Sequence, residues 1–276
     1  MTFGARLQQA VETHGPLCVG LDPHPSLLDA WDLPDDAVGL RHFADIVLEA
    51  LADRVAVLKP QSAFFERHGS SGVEVLEHVV GALAGTTTLS LLDVKRGDIG
   101  STMQAYADAY LDPASPLAGD AITVSPYLGV GSLGPVLDGA EEHGRGVFVL
   151  ALTSNPEGRQ VQGARDEHGR SVAAAVLAEA RRRNGGKSPM GSVGAVVGAT
   201  IGSTSEDLDI SGPLLAPGVG AQGAGVAELG RVFAGVTDRV LPASSRGVLG
   251  AGPDVTALRE RAGEVAATCR AGLDQG

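Results

Sequence analysis

The sequence predicts an α/β fold, a (β/α)8 TIM barrel in which residues 1–276 form a single domain. Three observations lead there. Short apolar runs alternate with amphipathic segments of helical period along the whole chain. Eight such runs can be marked, the number that closes a barrel, and their nearly unbroken apolar character suits parallel strands buried on both faces. No GxGxxG follows the first run, which removes the chief sign of an open dinucleotide-binding sheet.

The elements follow in order. An amphipathic opening, Leu7 to Thr13, is broken by His14-Gly15-Pro16. Leu17 to Leu21 is the first strand, and Asp22-Pro23-His24-Pro25 ends it, since proline has no N–H to give a sheet. Gly39 to Ala52 is helical, with Phe43, Val47 and Leu51 on its apolar face. Val55 to Leu58 is the second strand, ending at Lys59-Pro60, and a helix from Gly72 to Leu83 leads into the third, Leu89 to Leu92. Helix Gln104 to Leu111, strand Ala121 to Val124, helix Gly134 to Glu142 and strand Val147 to Leu152 come next. A polar, glycine-punctuated insertion (Gly158 to Gly169) precedes a helix from Ser171 to Arg183, whose basic last turn the helix dipole favours. Val193 to Ala199 is the sixth strand, Ser205 to Leu208 opens a short helix, and Pro213 to Ala216 is the seventh strand. Helix Gly225 to Ala234, strand Val240 to Ser244 and helix Asp254 to Ala271 complete the chain.

Composition narrows the function. A formal charge of −12 opposes nonspecific binding to nucleic acid or to an anionic membrane surface. The N-terminal stretch lacks the apolar core of a signal peptide, and no run approaches the ~20 apolar residues of a membrane span. Cys18 and Cys269 lie far apart in apolar surroundings and read as reduced thiols. A cytoplasmic protein is expected.

Barrel enzymes place their chemistry at the C-terminal ends of the strands. Here those ends carry Asp22, Lys59, Asp93 with Lys95, Ser125, Asn155, the Pro217–Gly223 loop and Arg246. The third is the richest: Asp93-Val94-Lys95-Arg96-Gly97-Asp98 packs four charges among its last residues. In an extended strand Asp93 and Lys95 share a face, which puts an acid and a base side by side for proton transfer to a developing carbanion. The glycine-rich loop Pro217 to Gly223, whose bare N–H groups admit an anion closely, and the fork of Arg246 suit a phosphate held after strands seven and eight. Other groups read as bland: His14, His68, His78, His143 and His168 as solvated, Arg181-Arg182-Arg183 as a solvated helix end. His24 and His42, near the predicted mouth, lack metal-ligand spacing.

Together these stretches resemble the orotidine 5′-phosphate decarboxylase family in its longer bacterial (type 2) form. The resemblance rests on Gly20-Leu21-Asp22-Pro23, Leu58-Lys59-Pro60-Gln61, Asp93-Val94-Lys95-Arg96-Gly97-Asp98-Ile99, Thr153-Ser154-Asn155-Pro156, Pro217 to Gly223 and Ser245-Arg246-Gly247. It implies decarboxylation of orotidine 5′-monophosphate to UMP and CO₂ without a cofactor or metal, by a homodimer with active sites at the subunit interface. The family's alternating Lys-Asp-Lys-Asp array falls on Lys59, Asp93, Lys95 and Asp98, the last donated by the partner subunit. Lys95 is then the group that protonates C6, with Asp22 and Thr102 at the ribose, Ser125 at the pyrimidine, and Pro217, Gln222, Gly223 and Arg246 at the phosphate. Departures exist: the polar segment from Gly158 to Gly191 has no role under this resemblance, and Thr102 and Ser125 match by position alone.

Two rival readings differ in class. A metal-dependent sugar-phosphate decarboxylase of the same superfamily shares the DxKxxD element but holds its cation partly with a carboxylate after the second strand, where this chain has Lys59. A catalytically silent nucleotide-binding barrel has no need of a complete charge array.

Overall fold

The apolar runs form eight parallel strands, each paired with the next and the last with the first: β1 (Cys18–Leu21), β2 (Val57–Pro60), β3 (Leu89–Arg96), β4 (Ala121–Val124), β5 (Gly146–Leu152), β6 (Val193–Val197), β7 (Leu214–Pro217) and β8 (Val240–Ser244). The computed structural model describes residues 1–219 and 226–276. Helices α1 (Phe3–His14), α2 (Pro25–Ala30), α3 (Ala37–Leu51), α4 (Ser62–Glu66), α5 (Gly69–Leu83), α6 (Gly100–Leu111), α7 (Gly134–Glu142), α8 (Arg159–Gln162), α9 (Val172–Asn184), α10 (Val226–Val232), α11 (Arg246–Leu249) and α12 (Val255–Leu273) complete the barrel. None of the described helices is long and apolar enough to cross a membrane.

Strand alternation sorts the core into two clusters. Leu17, Val19 and Leu21 face outward into the larger cluster, shared with Phe43, Val47 and Leu51 of α3. Cys18 faces inward with Val57, Leu89, Ala121, Phe148 and Leu241, and this inner cluster is closed from the N-terminal side by Phe3, Leu7 and Ala10 of α1. The Phe3 ring meets Phe148 edge-on, with centroids 6.0 Å apart. The helix before the first strand therefore serves as a plug. Its N-cap is Thr2, whose hydroxyl accepts from the Ala5 N–H.

Most predicted elements form, with ends moved by a few residues to their caps: Ser171 caps α9 and Asp254 caps α12 instead of opening them. The short helices α2, α4 and α11, each in a loop just after a strand, were not expected. One expected helix is absent, because Ser205–Leu208 is irregular and the β6–β7 connection contains no helix. Its polar side chains serve the backbone locally: Thr204 Oγ1 accepts from Glu206 N and Asp207 Oδ1 from Asp209 N, turns that compete with a helix.

Because Phe3 is only 1 % exposed and plugs the end of the barrel remote from the strands' C-terminal rim, Phe3→Ala is expected to cost about 3–5 kcal/mol. A urea titration should show a lower midpoint at unchanged slope, with turnover per folded molecule near that of the parent.

Candidate active site

The inward alternation that places Cys18, Val57, Leu91 and Ala121 in the barrel core places Gly20, Lys59, Asp93 and Thr123 one step nearer the C-terminal rim. There the interior becomes polar. Lys59 Nζ donates to Asp93 Oδ2 at 2.8 Å and Lys95 Nζ to Oδ1 at 2.6 Å. Gln61 Nε2 donates to Oδ2 at 3.0 Å, and the Thr123 hydroxyl to Oδ1 at 2.8 Å. Lys59 and Asp93 are each 7 % exposed, whereas the Lys95 side chain is nearly half exposed.

Burial disfavours the charged form of both Asp93 and Lys59. For Asp93 the ammonium groups of Lys59 and Lys95 outweigh it and hold the pKa well below the usual carboxylate range. For Lys59 the charges of Asp93 and Asp22 outweigh it and hold the pKa above that of an ordinary lysine. Both groups are ionised at neutral pH.

Asp93 and Lys95 do meet, but plain strand alternation is not the reason. The β3–β4 register shifts between Leu92 and Arg96, and Lys95 has φ +45°, in the left-handed region. For a non-glycine residue that conformation costs on the order of 1–2 kcal/mol. The Lys95 N–H donates to Thr123 Oγ1 at 3.0 Å, and after it Ser125 N donates to the Arg96 carbonyl at 2.7 Å. A Cβ at Gly97 would stand 2.4 Å from the Ser125 carbonyl oxygen, so only glycine fits this turn. The Arg96 side chain bonds Glu66 and the Tyr110 hydroxyl, anchoring the strand end to α4 and α6.

Two cavities flank the array. The smaller, about 150 Å³, is lined by Asp22, Lys59, Pro217, Ser245 and Arg246, from the ends of four strands. Asp22 Oδ1 and Ser245 Oγ are buried there without a hydrogen-bond partner among the described residues. A Cβ on Gly20 would come within 2.9 Å of both Asp22 Oδ2 and Ser245 Cβ, so glycine keeps this corner open. Gln222 and Gly223 lie outside the described residues. The larger cavity, about 610 Å³, has Lys95 and Ser125 at one side and Tyr127, Leu150, Val161 and Val176 among its apolar walls. Gln162 of α8 ties its wall to the end of β5, accepting from Thr153 N at 3.0 Å and donating to Thr153 Oγ1 at 2.7 Å. Part of the segment without an expected role thus forms a wall beside Lys95.

The structure does not bring every expected residue together. Asp98 makes no hydrogen bond to the array of its own chain; its carboxylate accepts from Ile99 N at 2.8 Å. Thr102 is exposed on the first turn of α6. The histidines are less solvated than expected. His68 is largely buried under Asp35, His78 bonds Asp45 at 2.7 Å and His14 bonds Thr87 at 2.8 Å, while His168 is exposed as expected. The arginine run is engaged in ion pairs with Asp207, Glu179 and Asp138 rather than simply solvated. His24 lines the smaller cavity, its ring edge-on to Phe64; His42 is exposed on α3. Among the described residues no cluster of His, Cys, Asp or Glu is placed to hold a metal ion. Both cysteines are free and buried, and burial pushes the Cys18 thiol up to about 12 and that of Cys269 to about 11.

Three residues at the site have no role assigned from the sequence, although Gln61 and Ser245 lie in stretches that carry the resemblance. Thr123 is the one polar side chain in an otherwise apolar strand, a signal the sequence does contain. Gln61, two residues beyond Lys59, bridges to Asp93, and Ser245 adjoins Arg246.

Comparison with known proteins gives a consistent result. The family model described as "Orotidine 5'-phosphate decarboxylase / HUMPS family" matches residues 15–261. A Salinispora arenicola protein named orotidine 5′-phosphate decarboxylase is 63% identical over 273 residues, covering 99% of this chain and 98% of that protein. A Streptomyces avermitilis crystal structure bearing the same family name superposes with a TM-score of 0.96 at 58% identity, covering 99% of this chain and 96% of that one. The Leishmania donovani OMP decarboxylase structure superposes with a TM-score of 0.75 at 29% identity over the whole of both chains.

Asp93→Ala strands the buried Lys59 ammonium and is expected to destabilise the fold by about 3–5 kcal/mol. Lys95→Ala removes a partner that is nearly half exposed, and should cost no more than about 1 kcal/mol. The pH dependence follows from the two shifts. The depressed Asp93 pKa gives stability that is complete above about pH 5 and lost as pH falls through its folded value. The raised Lys59 pKa gives stability that is complete below about pH 9 and lost only as pH rises through its own. Urea titrations at falling pH should therefore show the gap between parent and Asp93→Ala narrowing as Asp93 becomes protonated.

Proposed function

The chain belongs to the orotidine 5′-phosphate decarboxylase / HUMPS family, and on that premise we propose that Lys59, Asp93, Lys95 and Asp98 form its catalytic array. The enzyme is a carboxy-lyase that converts orotidine 5′-monophosphate to UMP and CO₂ in pyrimidine biosynthesis. The observation that carries the site reading is a buried carboxylate held between two ammonium groups, one lining each of the two cavities. A nucleotide monophosphate laid across them has its phosphate at Arg246 and Pro217, its ribose at Asp22 and its base beside Lys95 and Ser125. Asp22 Oδ1, buried and without a partner among the described residues, supports the ribose assignment, since a sugar hydroxyl can donate to it.

The chemistry follows from charge. Breaking the C6–carboxylate bond leaves its electron pair at C6, where the ring cannot delocalise it. The Lys95 ammonium, fixed nearby, stabilises the developing carbanion and donates the proton that replaces CO₂. Asp93, held ionised, repels a carboxylate brought beside Lys95, and this repulsion disappears as CO₂ departs. Lys59 keeps Asp93 in place and is compatible with a mechanism that uses no metal, since an ammonium repels a cation. Two buried thiols suit the reducing environment of the cytoplasm.

We further propose a homodimer. Asp98 makes no hydrogen bond to the array of its own chain, and Ile99 and Thr102 beside it are exposed, so a partner subunit that receives Asp98 would meet Thr102 on the same stretch. The remaining phosphate contacts are assigned to Gln222 and Gly223.

The first test follows the ultraviolet absorbance of orotidine 5′-monophosphate with purified protein, with and without EDTA. Loss of the orotate chromophore in both is expected; loss only without EDTA would overturn the metal-free mechanism. Lys95→Ala should lower kcat by at least about 10³-fold, whereas Arg246→Ala should chiefly raise KM, by about 10- to 100-fold. Equal effects on kcat would contradict that division of roles. Mixing inactive Lys95→Ala and Asp98→Ala subunits should restore activity in hybrid dimers, and hybrids without activity would count against a shared site.

A further inference from the structure

We infer that Thr123 is the positioning residue for the proton donor: its single hydroxyl holds both the Lys95 backbone and the Asp93 carboxylate in their working arrangement. This rests on the reading of Lys95 as the catalytic acid.

Thr123 is 1 % exposed, on a strand whose other members are Ala121, Ile122 and Val124. An apolar side chain would be the ordinary occupant of such a position. Instead its Oγ1 accepts from the Lys95 N–H at 3.0 Å and donates to Asp93 Oδ1 at 2.8 Å. The polarity of the pair is fixed. A backbone N–H can only donate and an ionised carboxylate can only accept, so the hydroxyl proton must point at Asp93.

Both contacts fall where the site is under constraint. Lys95 holds φ +45°, and the register between its strand and that of Thr123 shifts at this point. The Thr123 oxygen is the partner that satisfies the Lys95 N–H within that bulge. Its other contact is to Oδ1, the oxygen that also accepts from Lys95 Nζ at 2.6 Å; Lys59 and Gln61 hold Oδ2. Thr123 therefore holds the backbone of Lys95 directly and its ammonium through a shared oxygen. A small displacement of a reacting group costs rate far more than it costs binding.

The test compares Thr123→Val, which keeps the shape and removes the hydroxyl, with Thr123→Ser, which keeps the hydroxyl, and with Lys95→Ala. Thr123→Val is expected to lower kcat about 10- to 100-fold while KM for orotidine 5′-monophosphate and the Kd for UMP change less than about 3-fold. Thr123→Ser should recover kcat to within a few-fold of the parent. If Thr123→Val does not fold, Thr123→Cys, whose thiol is a poor donor and acceptor, takes its place with the same expectation. Parent-like kcat in the hydroxyl-free variant beside an inactive Lys95→Ala overturns the positioning role and leaves the site reading standing. Matching losses in the Val and Ser variants, or a loss confined to KM, also overturn it, since they mark a packing or binding role. An active Lys95→Ala removes the site reading and the inference with it.

Discussion

A carboxylate sits where the interior of a barrel would otherwise be hydrocarbon, and the rim is arranged to keep it charged. Asp93 is nine-tenths or more buried, and an ionised carboxylate at that depth is untenable without partners. Four donors from three adjacent strands meet it: Lys59 and Gln61 at the end of β2, Lys95 from β3 itself, and Thr123 from β4. Losing a partner from a buried pair costs several kcal/mol, a large part of the ~5–15 kcal/mol by which a domain is stable. The register of these strands and the charge state of the site are therefore one constraint. A slip of one residue would turn Lys59 or Thr123 outward and leave Asp93 exposed to its own desolvation cost.

The two ends of the barrel divide the work. At the N-terminal end α1 supplies Phe3 and Leu7 to a core layer that needs no polar group, and the stability gained there does not depend on the chemistry. At the other end apolar packing yields to cavities, and cations gather in a chain whose overall charge is −12. Lys59, Lys95 and Arg246 border the two cavities, so positive charge is concentrated locally on a protein whose net charge repels polyanions at a distance.

How much of this can be read from residues alone depends on where the signal is carried. The strands are legible because both faces are buried, so Val147-Phe148-Val149-Leu150 looks like nothing else. The Ser205–Leu208 segment misleads because Ser, Asp and Thr favour a helix start and a local turn equally, and here the turns at Thr204 and Asp207 win. The residue types at the strand ends are legible too, and the smaller cavity does gather Asp22, Lys59, Pro217 and Arg246. Alternation gives the right neighbour for Asp93 by the wrong route, because a bulge and a left-handed lysine leave no mark that a period-two reading can detect. Thr123 does leave one, a lone hydroxyl in an apolar strand.

The bulge also accounts for the layout of the third strand's exit. Within six residues, Asp93 to Asp98, the chain buries one carboxylate and keeps another out of its hydrogen-bond network. An extended strand would carry on along the barrel rim with alternating faces. The left-handed step at Lys95 ends that alternation, and the close approach of Gly97 to the Ser125 carbonyl fixes the new course. Beyond it Asp98 bonds its own loop, at the Ile99 N–H, rather than competing with Asp93 for Lys95. A second carboxylate drawn into the same array within one chain would raise the repulsion that two lysines must offset. With Asp98 outside that hydrogen-bond network, the chain has only one buried acid to compensate at this rim among the described residues. The strain at Lys95 is thus tied to two features at once, the ammonium held on Asp93 and the turn that leaves Asp98 bonded within its own loop.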